Sequence, residues 1–402
     1  MKKLIFFLLC LPSLSSVAQT DSTTVTVDST QSLSTVQDAV YNRPFIVNLD
    51  NKIALGGYAE ANTNYYVEDG LVEGFSSEFR RFNFFTYSAI TNRIRFLSEL
   101  EFEHGTAEIA LETAQFDFRV NSAFVLRAGI ILIPIGRFNQ NHDSPQWEFI
   151  DRPLVSTEII PSTLSDVGFG VNGKFYKHNW VFTYDAYLTN GLGDGIILNE
   201  DGRTFLQAGK REELFEEDNN GSPALSGKVG IRHRQYGEIG LSAYTGVYNT
   251  FRIDGEIVDE RRRLSILAFD FSTSIKKMII KGEFAYNAIQ LPENTAEAFG
   301  NRQWGGFVDF IYPVYSNTVL GFDNTTFFAN LRAEFIDYNA GTFTESGTGI
   351  GDEIRALVAG VSIRPGASTV IKINYRYHWI QDVLTNPTIR AANIQFGVAS
   401  YF

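Results

Sequence analysis

Ile371-Lys372-Ile373-Asn374-Tyr375-Arg376-Tyr377-His378-Trp379 places an apolar or aromatic residue at every odd position and a polar or basic one at every even position. Successive side chains of a strand point to opposite faces, so this segment has one greasy face and one charged face. The same alternation sets Phe327, Ala329, Leu331, Ala333 and Phe335 against Asn330, Arg332 and Glu334. It also sets Ile94, Phe96, Leu100 and Phe102 against Arg95, Glu99 and Glu101. From Ile53 to Phe402 about sixteen such segments of about ten residues follow one another, parted by turn residues, which is the pattern of an all-β transmembrane antiparallel barrel. The apolar sets are expected to face lipid and the polar sets a lumen. A barrel of this size is too wide for side chains alone to fill, so the lumen is expected to hold water.

The ends of the chain agree. Met1-Lys2-Lys3, the apolar run Leu4 to Leu11 and Ser16-Val17-Ala18 read as a signal peptide over residues 1–18, too short to span a bilayer as a helix. The single cysteine, Cys10, lies inside the apolar run behind the bulky Leu9, so a lipid anchor is not expected. Its loss with the signal leaves no thiol for a disulfide or metal. Residues 19–45, rich in Ser, Thr, Asp and Gln, read as a disordered periplasmic lead-in, and 46–402 as the barrel. The closing Gln395-Phe396-Gly397-Val398-Ala399-Ser400-Tyr401-Phe402 resembles the C-terminal signal read by the outer-membrane assembly machinery, with Phe402 as its terminal aromatic.

Composition excludes other classes. No later segment approaches 18 consecutive apolar residues, so membrane-spanning helices are not expected. The formal charge is −12, and removal of Lys2 and Lys3 with the signal leaves 32 basic against 46 acidic residues, −14. A nucleic-acid partner is disfavoured by that acidity. The acidic runs Glu212-Glu213 and Glu216-Glu217-Asp218 read as loop solvation. Aromatic residues at 14% and 34 glycines suit interfacial girdles and tight turns.

Connection lengths sort by side. Thr91-Asn92-Arg93, Asn121-Ser122, Lys177-His178-Asn179, Gln235-Tyr236-Gly237, Ser274 to Lys277 and Pro365 to Ser368 are short, and 314–324 is somewhat longer. The alternate connections, 66–78, 134–165, 191–223, 249–261, 291–301, 339–351 and 382–390, are long, with His104-Gly105 the exception. Short turns on one face and long loops on the other are how outer-membrane barrels are built, and an even strand count puts both termini at the periplasmic end. In the segment after residue 105, Ile109 and Leu111 share a parity with Asp117 and Arg119, so a bulge or an early strand end is expected there.

Loop 134–165 is the candidate functional element. It is long enough to be functional and too apolar for water, with Pro134, Ile135, Phe138, Trp147, Phe149, Ile150, Leu154, Ile159 and Ile160. It either folds inward as a constriction or forms an external lid. Candidate lumenal cations are Arg95, Arg127, Lys228, Arg232, Lys281, Arg332, Lys372 and Arg376. They share faces with Glu99, Glu101, Glu112, Glu283 and Glu334, so they serve either as bracing ion pairs or as an ion path. Arg137 and Arg152 are the cations of the loop itself. Histidines 104, 142, 178, 233 and 378 form no zinc-ligand spacing, and no Gly-x-Ser-x-Gly elbow or Walker loop is present, so neither enzyme chemistry nor a cofactor is expected.

Arg127-Ala128-Gly129 leading to Ile133-Pro134-Ile135-Gly136-Arg137-Phe138, then Phe149-Ile150-Asp151-Arg152-Pro153 and Asp166-Val167-Gly168-Phe169-Gly170-Val171-Asn172-Gly173, resembles the phosphate-selective porin family (O/P type). The resemblance implies a 16-stranded trimeric outer-membrane channel with an inward-folded third loop and lumenal arginines. The expectation is therefore a porin for passive diffusion of small hydrophilic solutes or ions, possible substrates including anions such as phosphate. A barrel hydrolase using His378 or His142 with a nearby Ser or Asp, and a surface adhesin or scaffold with a closed pore, are the alternatives.

Overall fold

The computed structural model describes residues 34–47, 52–210, 215–218 and 220–402. The expected signal peptide, the lead-in up to residue 33 and the acidic pair 212–213 lie outside the described residues. Sixteen antiparallel strands close into a barrel. The first five are β1 (Ile53–Glu68), β2 (Leu71–Ala89), β3 (Ile94–Glu103), β4 (Glu108–Asn121) and β5 (Phe124–Leu132). Beyond the long loop come β6 (Ser165–Lys177) and β7 (Trp180–Thr189), then β8 (Ala224–His233) and β9 (Gly237–Val247). The remaining wall is β10 (Arg263–Ile275), β11 (Met278–Ile289), β12 (Arg302–Val319), β13 (Phe322–Asp337), β14 (Glu353–Arg364), β15 (Thr369–Gln381) and β16 (Ile389–Tyr401). Each pairs with its chain neighbour. β1 pairs with β16 from Tyr58↔Tyr401 to Glu68↔Ala391, leaving no free edge.

The seam is locked at the chain's last residue. Phe402 N–H donates to Gly57 O at 3.0 Å and Gly57 N–H to Phe402 O at 3.2 Å. A Cβ on Gly57 would sit 2.1 Å from Asn83 O and 2.6 Å from the Phe402 ring, so only glycine admits this contact.

Side-chain polarity is inverted relative to a water-soluble barrel. Phe169, Val229, Leu241, Leu267 and Ile394 are all more than half exposed on the outside, whereas Asp309, Arg332 and Asn374 are at most 1% exposed inside. A continuous apolar outer surface of this extent needs an apolar solvent. Aromatic pairs sit at both ends: Trp180 against His233 near the short turns, Trp304 against Phe335 and Tyr377 against Trp379 near the long loops. Among the described residues no helix is long and apolar enough to cross a membrane.

Three connections differ from expectation. Residues 66–78 are not a loop: β1 and β2 run on to a two-residue turn at Asp69-Gly70, with φ of 44° and 83°. Asp-Gly supplies the two positive φ values of a tight hairpin turn, and the polar stretch beyond it hides the strand. Likewise 314–324 is strand up to a Leu320-Gly321 turn. Loop 249–261 contains a small hairpin, Arg252–Ile253 paired with Glu256–Ile257. The parity break in β4 is a bulge: Glu99 faces Thr113 while Leu100 faces Leu111, so Glu112 is the extra residue.

The lead-in is also corrected. Residues 36–47, expected to be disordered up to 45, form a 3-10 turn (Val36–Tyr41) and a short helix (Pro44–Val47) within the barrel mouth. Thr35 and Asp38 make a reciprocal capping box, and Arg43 is 1% exposed.

Candidate pore and its inner loop

Loop 133–164 lies inside the barrel. Its first turn needs Gly136 at φ 64°, because a Cβ there would meet Glu283 Oε2 at 2.5 Å. That close approach lets the backbone dock on the wall. Gly136 N–H donates to Ser242 Oγ at 3.0 Å, Phe138 N–H to Glu283 Oε2 at 2.9 Å, and Ser156 Oγ to Glu283 Oε1 at 2.8 Å. Ser242, Glu283 and Glu99 sit near the middle of their strands, so the loop plugs the barrel at depth. On the opposite wall Asn374 receives Ile150 N–H at 2.8 Å and Glu334 receives Leu154 N–H at 3.1 Å.

The inner wall was expected to be polar throughout. Between β8 and β13 it is not. Ala224, Tyr244, Leu264, Ile266, Ala268, Ala285, Phe307 and Ile336 form one buried cluster with Ile135, Phe138, Trp147, Val155, Ile159 and Ile160 of the loop, joined by Leu192, Ile196 and Leu206 of loop 190–223. Along β8 to β13 the lumen is therefore filled by a hydrophobic core. Burying these side chains holds the loop inward.

The predicted cations divide by what they touch. Arg332 grips Asp309 through Nε (2.6 Å) and Nη2 (2.9 Å) and donates Nη1 to Asp151 O at 3.0 Å. Lys372 is 1% exposed, and its ammonium donates to Ser144 O, Ser144 Oγ and Phe149 O, each at 3.0 Å. Arg376 bridges Glu334 (2.7 Å) and Asp151 (3.2 Å). Arg127 holds Asp117 with two hydrogen bonds, 2.7 and 2.9 Å. Arg232 and Arg137 both approach Glu238, at 3.5 and 3.7 Å, and Arg95 lies over the Tyr41 ring at 4.6 Å. Glu99 accepts from Arg43 (2.9 Å) and Asn83 (2.7 Å), and Glu101 from Asn83 (2.6 Å). These are braces between wall, loop and lead-in. Arg152 differs: no ion pair reaches it among the described residues, its Nε and Nη2 have no hydrogen-bond partner, and it lies 5.8 Å from the Phe138 ring.

Asp151 is the loop's polar hub, touched by Arg80 (3.1 Å), Arg376 and Gln395 (2.8 Å). Burial alone would raise its carboxyl, but Arg376 and Arg80 outweigh burial and hold it well below the usual carboxylate range.

The lead-in completes the plug from the short-turn end. Val36 N–H donates to Glu238 at 2.9 Å, Gln37 to Asp185 at 3.0 Å and Tyr41 to Asp117 at 2.6 Å. Phe45 stacks on Phe85 at 5.5 Å. Arg43 joins the two plugging elements, binding Asp143 of the loop through Nε (2.8 Å) and Nη2 (2.9 Å) and Glu99 of the wall at 2.9 Å. His142 Nε2 is 3.4 Å from Glu99. Burial lowers its affinity for a proton, but Glu99 and then Asp143 reverse this and leave it raised. Glu99, His142 and Asp143 have ligand atoms within 4.8 Å of one another, yet Arg43 already occupies both carboxylates. His378 meets the Arg376 guanidinium rather than a Ser or Asp.

Among the described residues, two spaces border Arg152 on the β1–β6 side of the loop. A cavity of about 610 Å³ on the long-loop side is bounded by Glu101, Glu103, Glu108, Glu112, Asp166, Arg152 and Lys210. Beneath it a void of about 10 Å³ is lined by Glu60, Arg81, His142, Ser144, Asp151 and again Arg152. Sequence reasoning missed Arg43, Arg81, Glu60 and Lys210. Glu60 and Arg81 share the inward parity of their strands and were legible there; Arg43 and Lys210 lie outside strands, where parity says nothing.

An outer membrane protein of Vibrio cholerae, OmpT in its trimer form, covers 88% of this chain and all of its own, with a TM-score of 0.53 and 11% identity. An anion-selective porin from Comamonas acidovorans covers 87% and 99%, TM-score 0.52, 9% identity. OprB of Pseudomonas putida covers 89% and 96%, TM-score 0.53, 8% identity. The fold is that of outer-membrane porins. No family model matches the chain. An uncharacterized protein of Aquifex aeolicus (strain VF5) is 33% identical over 149 residues, 35% of this chain and 32% of that protein, so the chain spans about a third of the length of the curated relative it matches.

Proposed function

We propose that this chain is an outer-membrane porin of constricted bore, passing small hydrophilic solutes or ions passively along the β1–β4 wall. The observation that carries this reading is Arg152, which borders both the 610 Å³ external cavity and the narrow void beneath it, so one charged side chain faces both spaces. Support for the membrane setting comes from the apolar exterior and the porin fold. A cleaved signal at 1–18, recognition of Phe402 by the assembly machinery and a homotrimer complete the reading; the solved trimer form of OmpT supports the last.

Phosphate or general anion selectivity has less support than the resemblance implies. An anion path needs free cations, and Arg127, Arg332, Lys372 and Arg376 are each spent on a carboxylate or on loop carbonyls. A second reading, a closed barrel serving as a surface scaffold, is favoured by the narrow void, whose 10 Å³ holds about one water. Planar-bilayer recording of the folded protein separates the two. Discrete conductance steps support the porin; silence from a barrel with heat-modifiable mobility sinks it.

A further inference from the structure

We propose that the 610 Å³ cavity is a binding site for a small zwitterionic peptide, a dipeptide, whose carboxylate is taken by Arg152 and whose ammonium is taken by Glu112. This rests on the porin reading only for its role in transport; the site itself stands on local geometry.

Buried charged atoms without a hydrogen-bond partner also occur on Arg137, Arg232, Asp270 and Asp352, but each of those groups has an ion pair, whereas Arg152 and Glu112 have none among the described residues. Three guanidinium groups, those of Arg43, Arg127 and Arg332, each grip a carboxylate with the Nε and Nη2 edge, at 2.6 to 2.9 Å. Arg152 has the same two nitrogens, buried and without a partner. That edge is the planar fork that matches a carboxylate with two parallel bonds. Glu112 borders the same cavity, and its buried Oε2 has no partner either. The β4 bulge is what turns this residue inward beside Thr113. An unmet buried donor or acceptor costs about 1–3 kcal/mol, and more when charged.

Apolar side chains, among them Ile130, Ile133, Leu192 and Tyr244, and a few neutral polar groups complete the lining. Ser162 and Thr163, 2% and 3% exposed, both border the cavity with hydroxyls lacking a partner, as does the Gln207 carbonyl. Unmet positive, negative and neutral polar groups in one enclosure fit a ligand carrying both charges and an amide between them. A simple anion would leave Glu112 unmet, and a sugar would meet Arg152 and Glu112 only with neutral hydroxyls, a weaker bond than a charge-assisted one. The volume falls within the range of about 300–1,000 Å³ usual for small-molecule sites.

Isothermal titration calorimetry of the full folded barrel in detergent, with L-alanyl-L-alanine as the probe, tests this. Saturable binding is expected, weakened about tenfold or more for the N-acetylated dipeptide and for the dipeptide amide, each of which lacks one charge. Arg152→Gln should abolish discrimination against the amide, and Glu112→Gln discrimination against the acetylated form. If either variant fails to fold, Thr163→Val with the wild-type ligand series carries the test. Equal binding of the acetylated dipeptide, or no binding at all, overturns the proposal. Parallel bilayer recording keeps the two readings apart. Conductance without binding refutes the site alone, and binding without conductance refutes the porin alone.

Discussion

Arg43 shows how much one side chain can decide in a filled barrel. It is 1% exposed and its guanidinium satisfies Asp143, from the loop, and Glu99, from the wall. Replacing it with Met leaves two buried carboxylates facing each other, and breaking such a pair by removing one partner costs about 3–5 kcal/mol. Arg43→Met should therefore detach the lead-in from the loop while the barrel still closes, read as faster hydrogen exchange at residues 36–47 with unchanged heat-modifiable mobility. His142 gives the same junction a pH dependence. A group whose value is raised on folding stabilises fully below its unfolded value, about 6.5, and loses that contribution as pH climbs through the raised folded value. Protection of amides 139–147, corrected for intrinsic exchange, should fall as pH rises through that window. In His142→Gln the fall should vanish; an identical fall in the variant would show that His142 is not its source.

At the level of elements, the loop and the lead-in close the barrel from opposite ends and meet at Arg43. Removing 34–47 frees Glu238, Asp185 and Asp117 from their lead-in partners and opens the short-turn mouth, so single-channel conductance should rise severalfold in the deletion. Unchanged conductance would place the limiting constriction wholly in loop 133–164. The strands themselves were legible because period-two alternation is direct physics: a slip of one residue would put Lys372 and Arg376 in lipid. Less legible was what fills the lumen. In Leu264-Ser265-Ile266-Leu267-Ala268-Phe269 both faces are apolar, a sign that both are covered, yet a barrel pattern alone does not say by what. The inward loop was readable from its own apolarity, whereas the lead-in hid behind a polar composition. Its signals were local: Thr35 three residues before Asp38, and Pro44 opening a turn. The braces were not readable, because Arg332 paired with Asp309 and Arg152 left unpaired look alike in sequence.

For the molecule as a whole, the selectivity of the proposed permeation path is decided by which charges remain after the braces are made. Inside the barrel the arginines of β5, β13 and β15 are neutralised within the wall. Along the two spaces that Arg152 borders, Glu60, Glu101, Glu103, Glu108, Glu112, Asp151 and Asp166 outnumber Arg81, Arg152 and Lys210. Rings of carboxylates favour cations, so the reversal potential across a KCl gradient should take the sign of modest potassium preference, although the fold includes an anion-selective neighbour. Glu60 and Glu103 are both paired with Arg81, so the preference should come chiefly from Glu108 and Glu112 of the external cavity. Replacing Glu108 and Glu112 together with Gln should then move the reversal potential toward chloride while the open-channel conductance persists. Chloride preference in the unmodified protein would return the argument to Arg152 as the side chain that sets selectivity, and to the anion path the loop motifs imply.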